Sequence, residues 1–123
     1  MGHLYTDIMV RGTKTEEELK GVLVDTGATY TVLPQDILEK IGASRIPTEV
    51  ETELGNGKKV KARAYGIVIR IKDAEAPSIA ITFEGAKTVI GVETLESIGL
   101  KLDPNTGNLE FTRPKGMAYF YIF

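Results

Sequence analysis

The sequence contains no cysteine and a single histidine, His3, close to its first residue. The absence of cysteine excludes disulfide bonds, thiol catalysis and thiolate metal ligands. One histidine beside a chain end is a poor base for a catalytic triad and a poor start for a zinc site. A glycine-rich phosphate loop with Lys and Ser or Thr is missing too. We therefore predict neither a metal nor another cofactor.

Long apolar runs and a strong excess of charge are also absent. No stretch approaches the roughly 18 apolar residues of a membrane span, and no basic segment followed by an apolar one opens the chain. The net charge of -2 argues against nucleic acid as the main partner. With 123 residues, 42% hydrophobic and 26% charged, the chain is predicted to form a single domain, residues 1–123, without a membrane partner and in the cytoplasm.

The most informative stretch is Val-Leu-Val-Asp-Thr-Gly-Ala-Thr, residues 22–29. A short apolar run that ends in a turn signal predicts a buried strand, which carries Asp25 from the interior to an edge. Carboxylates in such places are hydrogen-bonded, paired or shifted in pKa, and such acids concentrate at functional sites. Thr26 adds a hydroxyl, and Gly27 lets a backbone or a ligand approach closely. We interpret this stretch as a site.

A second stretch of the same kind, Thr-Val-Ile-Gly, lies far downstream at residues 88–91. A helical pattern follows it and stops at Gly99. The first stretch is likewise followed by a short helix, predicted over residues 34–42, with Pro34 near its first turn and Gly42 at its end. The two halves form a weak internal repeat of strand, glycine and short helix.

Most of the remaining chain is predicted to form strands. They cover residues 4–10, 15–24, 48–54, 58–71, 78–83, 88–91 and 109–111. Gly55, Asn56 and Gly57 join the strands predicted over residues 48–54 and 58–71, and Asn-Gly predicts a type I′ turn there. Lysines and an arginine on the strand after this turn make the hairpin basic, which indicates a solvated outer face or, as a weaker alternative, a preference for acidic peptides.

The segment from Asp25 to Leu33, together with the downstream Val-Ile-Gly and its helix, resembles the retroviral-type (retropepsin-like) aspartic protease family. The resemblance covers roughly residues 4–111, and we interpret the chain as a cellular or prokaryotic member. It implies a mainly β acid-protease barrel with one or two short helices, closed as a homodimer. It also implies a flap hairpin at about residues 48–66 and a tail, about residues 113–123, at the dimer interface.

This chain departs from the viral pattern beside the aspartate. Many viral members carry acids just after the alanine and an arginine after the downstream glycine, where this chain has Thr29, Tyr30 and Val92. The arginine–carboxylate pair that braces the viral site is therefore not expected here. What holds the loop instead is left open by the sequence.

Peptide hydrolysis by aspartate requires two carboxylates that share one proton. Asp25 alone has the apolar lead-in and the following Thr-Gly, so the second carboxylate must be Asp25 of another copy. The resemblance implies an aspartic endopeptidase acting on peptides or unfolded proteins, with Asp25, Thr26 and Gly27 as the catalytic residues. The implied substrate-binding residues are Gly27, Ala28, Thr29, Val32, Gly55, Asn56, Gly57, Val89 and Ile90.

Two alternatives keep the same fold without catalysis. The first is a dimeric module that binds peptides or protein partners, since function depends on the site and not on the fold. The second is a structural dimerisation domain in which Asp25 is a satisfied polar group.

Overall fold

Nine strands and two short helices make up residues 3–120, the part of the chain that the computed structural model describes. In chain order they are β1 (Leu4–Arg11), β2 (Glu16–Val24), β3 (Thr31–Val32), α1 (Gln35–Ile41), β4 (Ser44–Glu53), β5 (Lys59–Ile71), β6 (Ala74–Thr82), β7 (Val89–Ile90), α2 (Val92–Ile98), β8 (Leu100–Leu102) and β9 (Leu109–Phe111).

Seven of these strands form one sheet, in the order β1-β2-β7-β3-β6-β5-β4, and β8 pairs with β9 separately. β1 also pairs with β5, so the sheet closes into a barrel. The 13 residues of β5 allow this closure, because its first part pairs with β4 and its last part with β1. The β4–β5 hairpin therefore projects from the barrel. The predicted mainly β barrel with one or two short helices is confirmed.

Alternation along the strands builds the main core. On β5, Ile67, Ile69 and Ile71 are buried at every second position, and they belong to one cluster with side chains from both helices. A smaller apolar cluster, centred on Val32 and Ile81, lies beneath the β4–β5 hairpin. Residues 3–120 thus contain two apolar clusters, and β5 contributes side chains to both.

Both helices begin and end where the sequence predicts. Pro34 precedes α1 in an extended conformation, and Gly42 ends it with φ +75°. Gly91 precedes α2, and Gly99 ends it with φ +89°. Glycine adopts these left-handed conformations without the steric cost that a Cβ would add.

The turn of the β4–β5 hairpin differs from the predicted type I′ turn, which is wrong. Only Gly57 has positive φ, at +83°. Its N–H donates to the Leu54 carbonyl at 2.8 Å, and the Leu54 N–H donates to the Lys58 carbonyl at 2.8 Å. This is a three-residue loop in which a left-handed glycine follows the turn. Asn56 keeps ordinary φ and instead accepts the Lys58 N–H on Oδ1 at 2.9 Å.

The tight two-residue turn occurs later, between β5 and β6. Lys72 and Asp73 have φ of +51° and +66°, and Ile71 faces Ala74 across the hairpin. β6 consequently begins at Ala74, and the predicted start at residue 78 is wrong. The usual Gly and Asn signals of such a turn are absent, so its sequence did not indicate it.

β4 also begins earlier than predicted, at Ser44 and not at residue 48. A register shift between Ile46 and Glu49 accommodates Pro47, which otherwise reads as a strand break. The Arg45 guanidinium donates to the Thr48 carbonyl at 3.0 Å and to the Ala64 carbonyl at 3.3 Å across this bulge. The side chain thereby satisfies carbonyls that regular pairing leaves free.

The outer face of the β4–β5 hairpin carries charges of both signs. Three basic residues in the first part of β5 lie directly opposite glutamates of β4, and the pairs are Glu49 with Arg63, Glu51 with Lys61, and Glu53 with Lys59. Opposite charges in facing positions stabilise a strand pair. The basic hairpin expected from β5 alone is therefore balanced, and the alternative of an acidic-peptide preference loses its basis.

The segment after β9 is attached to the end of α2. One amino group of Arg113 donates to the carbonyls of Glu96 at 3.0 Å and Ser97 at 2.8 Å. A cation there complements the free carbonyls at a helix C-terminus. Beyond it, Met117 is 49% and Phe120 71% exposed. Residues 121–123 of the predicted interface tail lie outside the described residues, and within residues 3–120 neither helix is long and apolar enough to cross a membrane.

Replacing Lys72 by Asn and Asp73 by Gly is expected to raise the free energy of unfolding by about 1 kcal/mol, because these residues accept positive φ with less strain. Urea unfolding of the Lys72→Asn/Asp73→Gly variant measures the change. Lys87→Asn removes an exposed lysine at a position of ordinary backbone. This control should stay within about 0.5 kcal/mol of the wild type. A less stable double variant would contradict the turn.

Candidate active site

Asp25 follows β2 directly, and backbone groups hold both its main chain and its carboxylate. Its N–H donates to the Ile90 carbonyl at 2.9 Å, and its own carbonyl accepts the Ala28 N–H at 3.0 Å. The Gly27 N–H donates to Asp25 Oδ1 at 2.9 Å. The carboxylate is half-buried, so its second oxygen is available for chemistry at the edge of the barrel.

The two stretches that the sequence singled out lie side by side. β2 and β7 pair in parallel, with Leu23 facing Val89 and Val24 facing Ile90. Parallel strands require a long connection, and here it comprises the loop, α1 and the three long strands. The pairing brings the glycine after β7 against the loop after β2.

The first turn of α2 anchors the middle of the Asp25 loop. The Val92 N–H donates to the Ala28 carbonyl at 2.8 Å, and the Glu93 N–H donates to the Thr29 carbonyl at 2.9 Å. The first N–H groups of a helix have no partner within the helix, so the loop carbonyls satisfy them. The sequence predicted no arginine to brace this loop. Backbone hydrogen bonds from the start of α2 hold it instead.

Gly91 is enclosed by the same loop. A Cβ at this position would lie 2.4 Å from the carbonyl carbon of Tyr30, 2.5 Å from its oxygen and 2.9 Å from the Thr31 nitrogen. Backbone atoms cannot move aside as a flexible side chain does. Only glycine therefore permits β7 and the Asp25 loop to approach this closely.

A cleft of about 760 Å³ opens between the Asp25 loop and the β4–β5 hairpin. Seven of the predicted site residues line it: Asp25, Gly27, Ala28, Thr29, Val32, Gly55 and Val89. Four do not. Ile90 is fully buried in the main core, and Asn56 and Gly57 are exposed at the hairpin turn. Thr26 is exposed beside Asp25 and forms no hydrogen bond within residues 3–120.

The cleft also has walls that sequence reasoning did not identify. Further lining residues are Tyr30, Val50, Glu51, Thr52, Glu53, Leu54, Ile81 and Phe83. Ile81 on β6 and Phe83 directly after it line the cleft, whereas the alternating residues Ala80 and Thr82 do not. The alternation was visible in the sequence, but which face of β6 borders a cleft depends on the neighbouring strands.

A separate groove of about 680 Å³ is lined in part by the middle residues of β5 and β6. Arg11 and Glu75 form an ion pair at 2.8 Å on that side of the barrel. The Arg11 guanidinium, by hydrogen bonding, holds the pKa of the Glu75 carboxyl below its ordinary value. Asp25 does not line this groove, so the groove is not part of the candidate site. Among residues 3–120, no group of three or more His, Asp or Glu side chains could hold a metal ion.

The family model of the gag-polyprotein putative aspartyl proteases matches residues 17–97. This range spans more than half of the chain and includes the Asp25 loop, the cleft and α2. The protein belongs to this retroviral-type aspartyl protease family.

Structural similarity agrees with this assignment. The EIAV protease, in its complex with the inhibitor HBY-793, is similar over 83% of this chain and 93% of its own, with a TM-score of 0.60. Its sequence is 22% identical, so the similarity concerns the fold alone. No curated protein matches the sequence significantly. The retropepsin-like barrel expected from the resemblance is confirmed, whereas the roles of the single site residues stay predictions.

Replacing Gly91 by alanine is expected to lower the free energy of unfolding by about 3 kcal/mol, because the new methyl group would overlap the backbone of Tyr30 and Thr31. Thermal and urea unfolding measure the loss. Gly66→Ala is the matched control, since a Cβ on that strand residue meets nothing within 4 Å. It should change stability by less than about 1 kcal/mol. Equal effects of the two substitutions would contradict the close approach at Gly91.

Proposed function

We propose that this retropepsin-like protein is an aspartic endopeptidase that activates water between two Asp25 carboxylates, one from each subunit of a homodimer. The observation that carries this proposal is the half-buried Asp25 carboxylate, held by the Gly27 N–H at 2.9 Å at the end of an apolar-walled cleft. Membership of an aspartyl protease family supports it.

Among residues 3–120, Asp25 forms no hydrogen bond with a second carboxylate. Glu51 and Glu53 also border the cleft. They lie opposite Lys61 and Lys59 in the strand pair, on the outer face of the hairpin. Their neighbours Val50 and Thr52 are the more buried residues of that stretch. A twofold axis beside the loop supplies the missing group, because it brings the same residue of a second copy into contact.

Two such carboxylates share one proton, because like charges at close range do not both ionise. The ionised carboxylate takes a proton from the water as its oxygen attacks the peptide carbonyl carbon. The other carboxyl gives its proton to the carbonyl oxygen. When the tetrahedral intermediate collapses, the C–N bond breaks, the first carboxyl gives its proton to the amine, and the second carboxylate takes a proton from a hydroxyl of the intermediate, which restores the pair. In this proposal the exposed Thr26 hydroxyl braces the two loops across the axis.

The substrate is an extended peptide between the Asp25 loop and the β4–β5 hairpin, which acts as the flap. Gly27 and Thr29 offer backbone groups to the peptide, as in strand addition to a sheet. Val32, Val89 and Phe83 give the cleft apolar walls. Closure of the flap, with Gly55 beside its tip, excludes water. A cytoplasmic location and the extent of the flap, residues 48–66, stay predictions.

Asp25→Asn is expected to lower the rate of peptide cleavage about 100-fold or more, because an amide cannot act as the acid or the base of the pair. The assay follows cleavage of an unfolded protein mixture between about pH 3 and pH 8, where a shared proton predicts an acidic to mildly acidic optimum. Pepstatin serves as a probe for an aspartic protease site.

Asp36→Asn is the matched control, because it removes an exposed carboxylate from the first turn of α1. It should cleave like the wild type. No cleavage by a dimeric wild type at any pH would favour the non-catalytic peptide-binding module. Activity that rises steadily above about pH 8 would contradict the shared proton.

Removal of residues 117–123 is expected to convert the dimer into monomers and to abolish cleavage. This segment begins with exposed apolar side chains at Met117, and Arg113 attaches the preceding chain to α2. Exposed apolar segments of this kind are suited to a protein interface. Sedimentation of the truncated and full-length chains at equal concentration measures the effect. An unchanged sedimentation coefficient would remove the tail from the proposed interface.

A further inference from the structure

We propose that Thr31, Ser78, Glu93 and Thr94 form one oriented chain of hydrogen bonds that positions the Asp25 loop, in the role that the arginine–carboxylate pair has in viral members. The inference rests on the proposed function, because it assigns positioning residues to that reaction. None of the four side chains lines the cleft, so none touches substrate.

The series of hydrogen bonds begins at Gly91, directly after β7, and ends at Glu93 on α2. The Gly91 N–H donates to Thr31 Oγ1 at 3.0 Å, and Thr31 Oγ1 lies 2.5 Å from Thr94 Oγ1. Thr94 Oγ1 lies 2.7 Å from Ser78 Oγ, which donates to Glu93 Oε1 at 3.0 Å. Thr31 and Thr94 are fully buried and Ser78 is 5% exposed.

The two ends of the chain set the direction of every proton in it. Gly91 contributes an N–H, which can only donate, and Glu93 Oε1 accepts at the other end. Between them, each hydroxyl accepts one hydrogen bond and donates one, from Thr31 to Thr94 to Ser78 to Glu93. Such a fully satisfied series inside a protein is cooperative, and the loss of one member leaves buried groups unpaired.

Glu93 also connects the chain to two backbone segments. Its Oε1 accepts the Ile79 N–H of β6 at 3.1 Å, and its own N–H donates to the Thr29 carbonyl of the Asp25 loop at 2.9 Å. β3 pairs with β6 only at residues 80 and 81, so the Ile79 N–H would otherwise have no strand partner on that side. One side chain thus joins α2, β6 and the loop.

The hydrogen-bond chain holds the end of the loop, next to the backbone bond that holds its start. At the start of the loop, the Asp25 N–H donates to the Ile90 carbonyl. At its end, Thr31 Oγ1 accepts the N–H of Gly91, the residue directly after β7. Two Asp25 carboxylates can share a proton only if both loops keep their position closely. A displacement of about 1 Å in such a site costs roughly 100-fold in rate.

Thr94→Val tests the proposal, because valine keeps the shape of threonine and breaks the chain at its centre. We expect kcat to fall about 10-fold or more with KM changed less than about 2-fold. Amide hydrogen exchange of residues 25–29 should become faster in the same variant. Hydrogen exchange is measured on this protein without any substrate. It therefore tests the positioning of the loop even if the wild type is not a protease.

Thr82→Val is the matched control. Thr82 is fully buried on β6 like the chain members nearby, but its hydroxyl has no hydrogen-bond partner within the described residues. Its replacement should leave kcat and the exchange of the loop unchanged. Ser78→Ala breaks the hydrogen-bond chain at another point and replaces Thr94→Val if that variant does not fold.

Glu93→Gln and Glu93→Leu separate hydrogen bonding from packing. Glutamine keeps an oxygen that accepts from Ser78 and Ile79, so it should retain kcat within about 3-fold of the wild type, whereas leucine should lose about 10-fold or more. Wild-type kcat and loop exchange in Thr94→Val, or equal loss in the two Glu93 variants, would overturn the proposal. A wild type without activity but with faster loop exchange in Thr94→Val would refute only the protease function.

Discussion

The parallel pairing of β2 with β7 is the contact on which the candidate site depends. It comprises two facing residue pairs and the bond from Asp25 N–H to the Ile90 carbonyl. So short a ladder cannot hold a loop by itself. The structure reinforces it through the absence of a side chain at Gly91 and through the first turn of α2, whose N–H groups bind the loop carbonyls. Close backbone contacts therefore hold the loop at the position where many viral members have a charged arginine–carboxylate pair.

The apolar residues of the described chain form two clusters, and only the smaller one borders the cleft. The larger cluster joins the barrel to both helices and is closed to solvent. The smaller one, around Val32 and Ile81, borders the cleft and leaves Tyr30 and Phe83 only partly buried. Side chains of the second cluster can therefore meet a ligand without opening the main core.

Local signals in the sequence predicted most elements, and they failed where backbone geometry came from elsewhere. Helix ends at Gly42 and Gly99 were correct because glycine is the residue that leaves a helix through positive φ. The turn at Lys72 and Asp73 was missed because the pairing of β5 with β6 imposes positive φ on residues that do not prefer it. The predicted start of β4 at residue 48 was wrong because a bulge lets the strand begin at Ser44 and continue past Pro47.

The sequence by itself determined that Asp25 ends a buried strand, that a second strand and glycine match it downstream, and that one chain carries one such aspartate. These conclusions depend on local patterns and on residue chemistry. Only the tertiary structure decided which strand faces line the cleft, which excluded Ile90 and added Phe83. It alone brought Thr31, Ser78 and Thr94 together, because polar residues spread over three elements have no common pattern along the chain. Hydrogen bonds between such distant residues form only when the barrel closes.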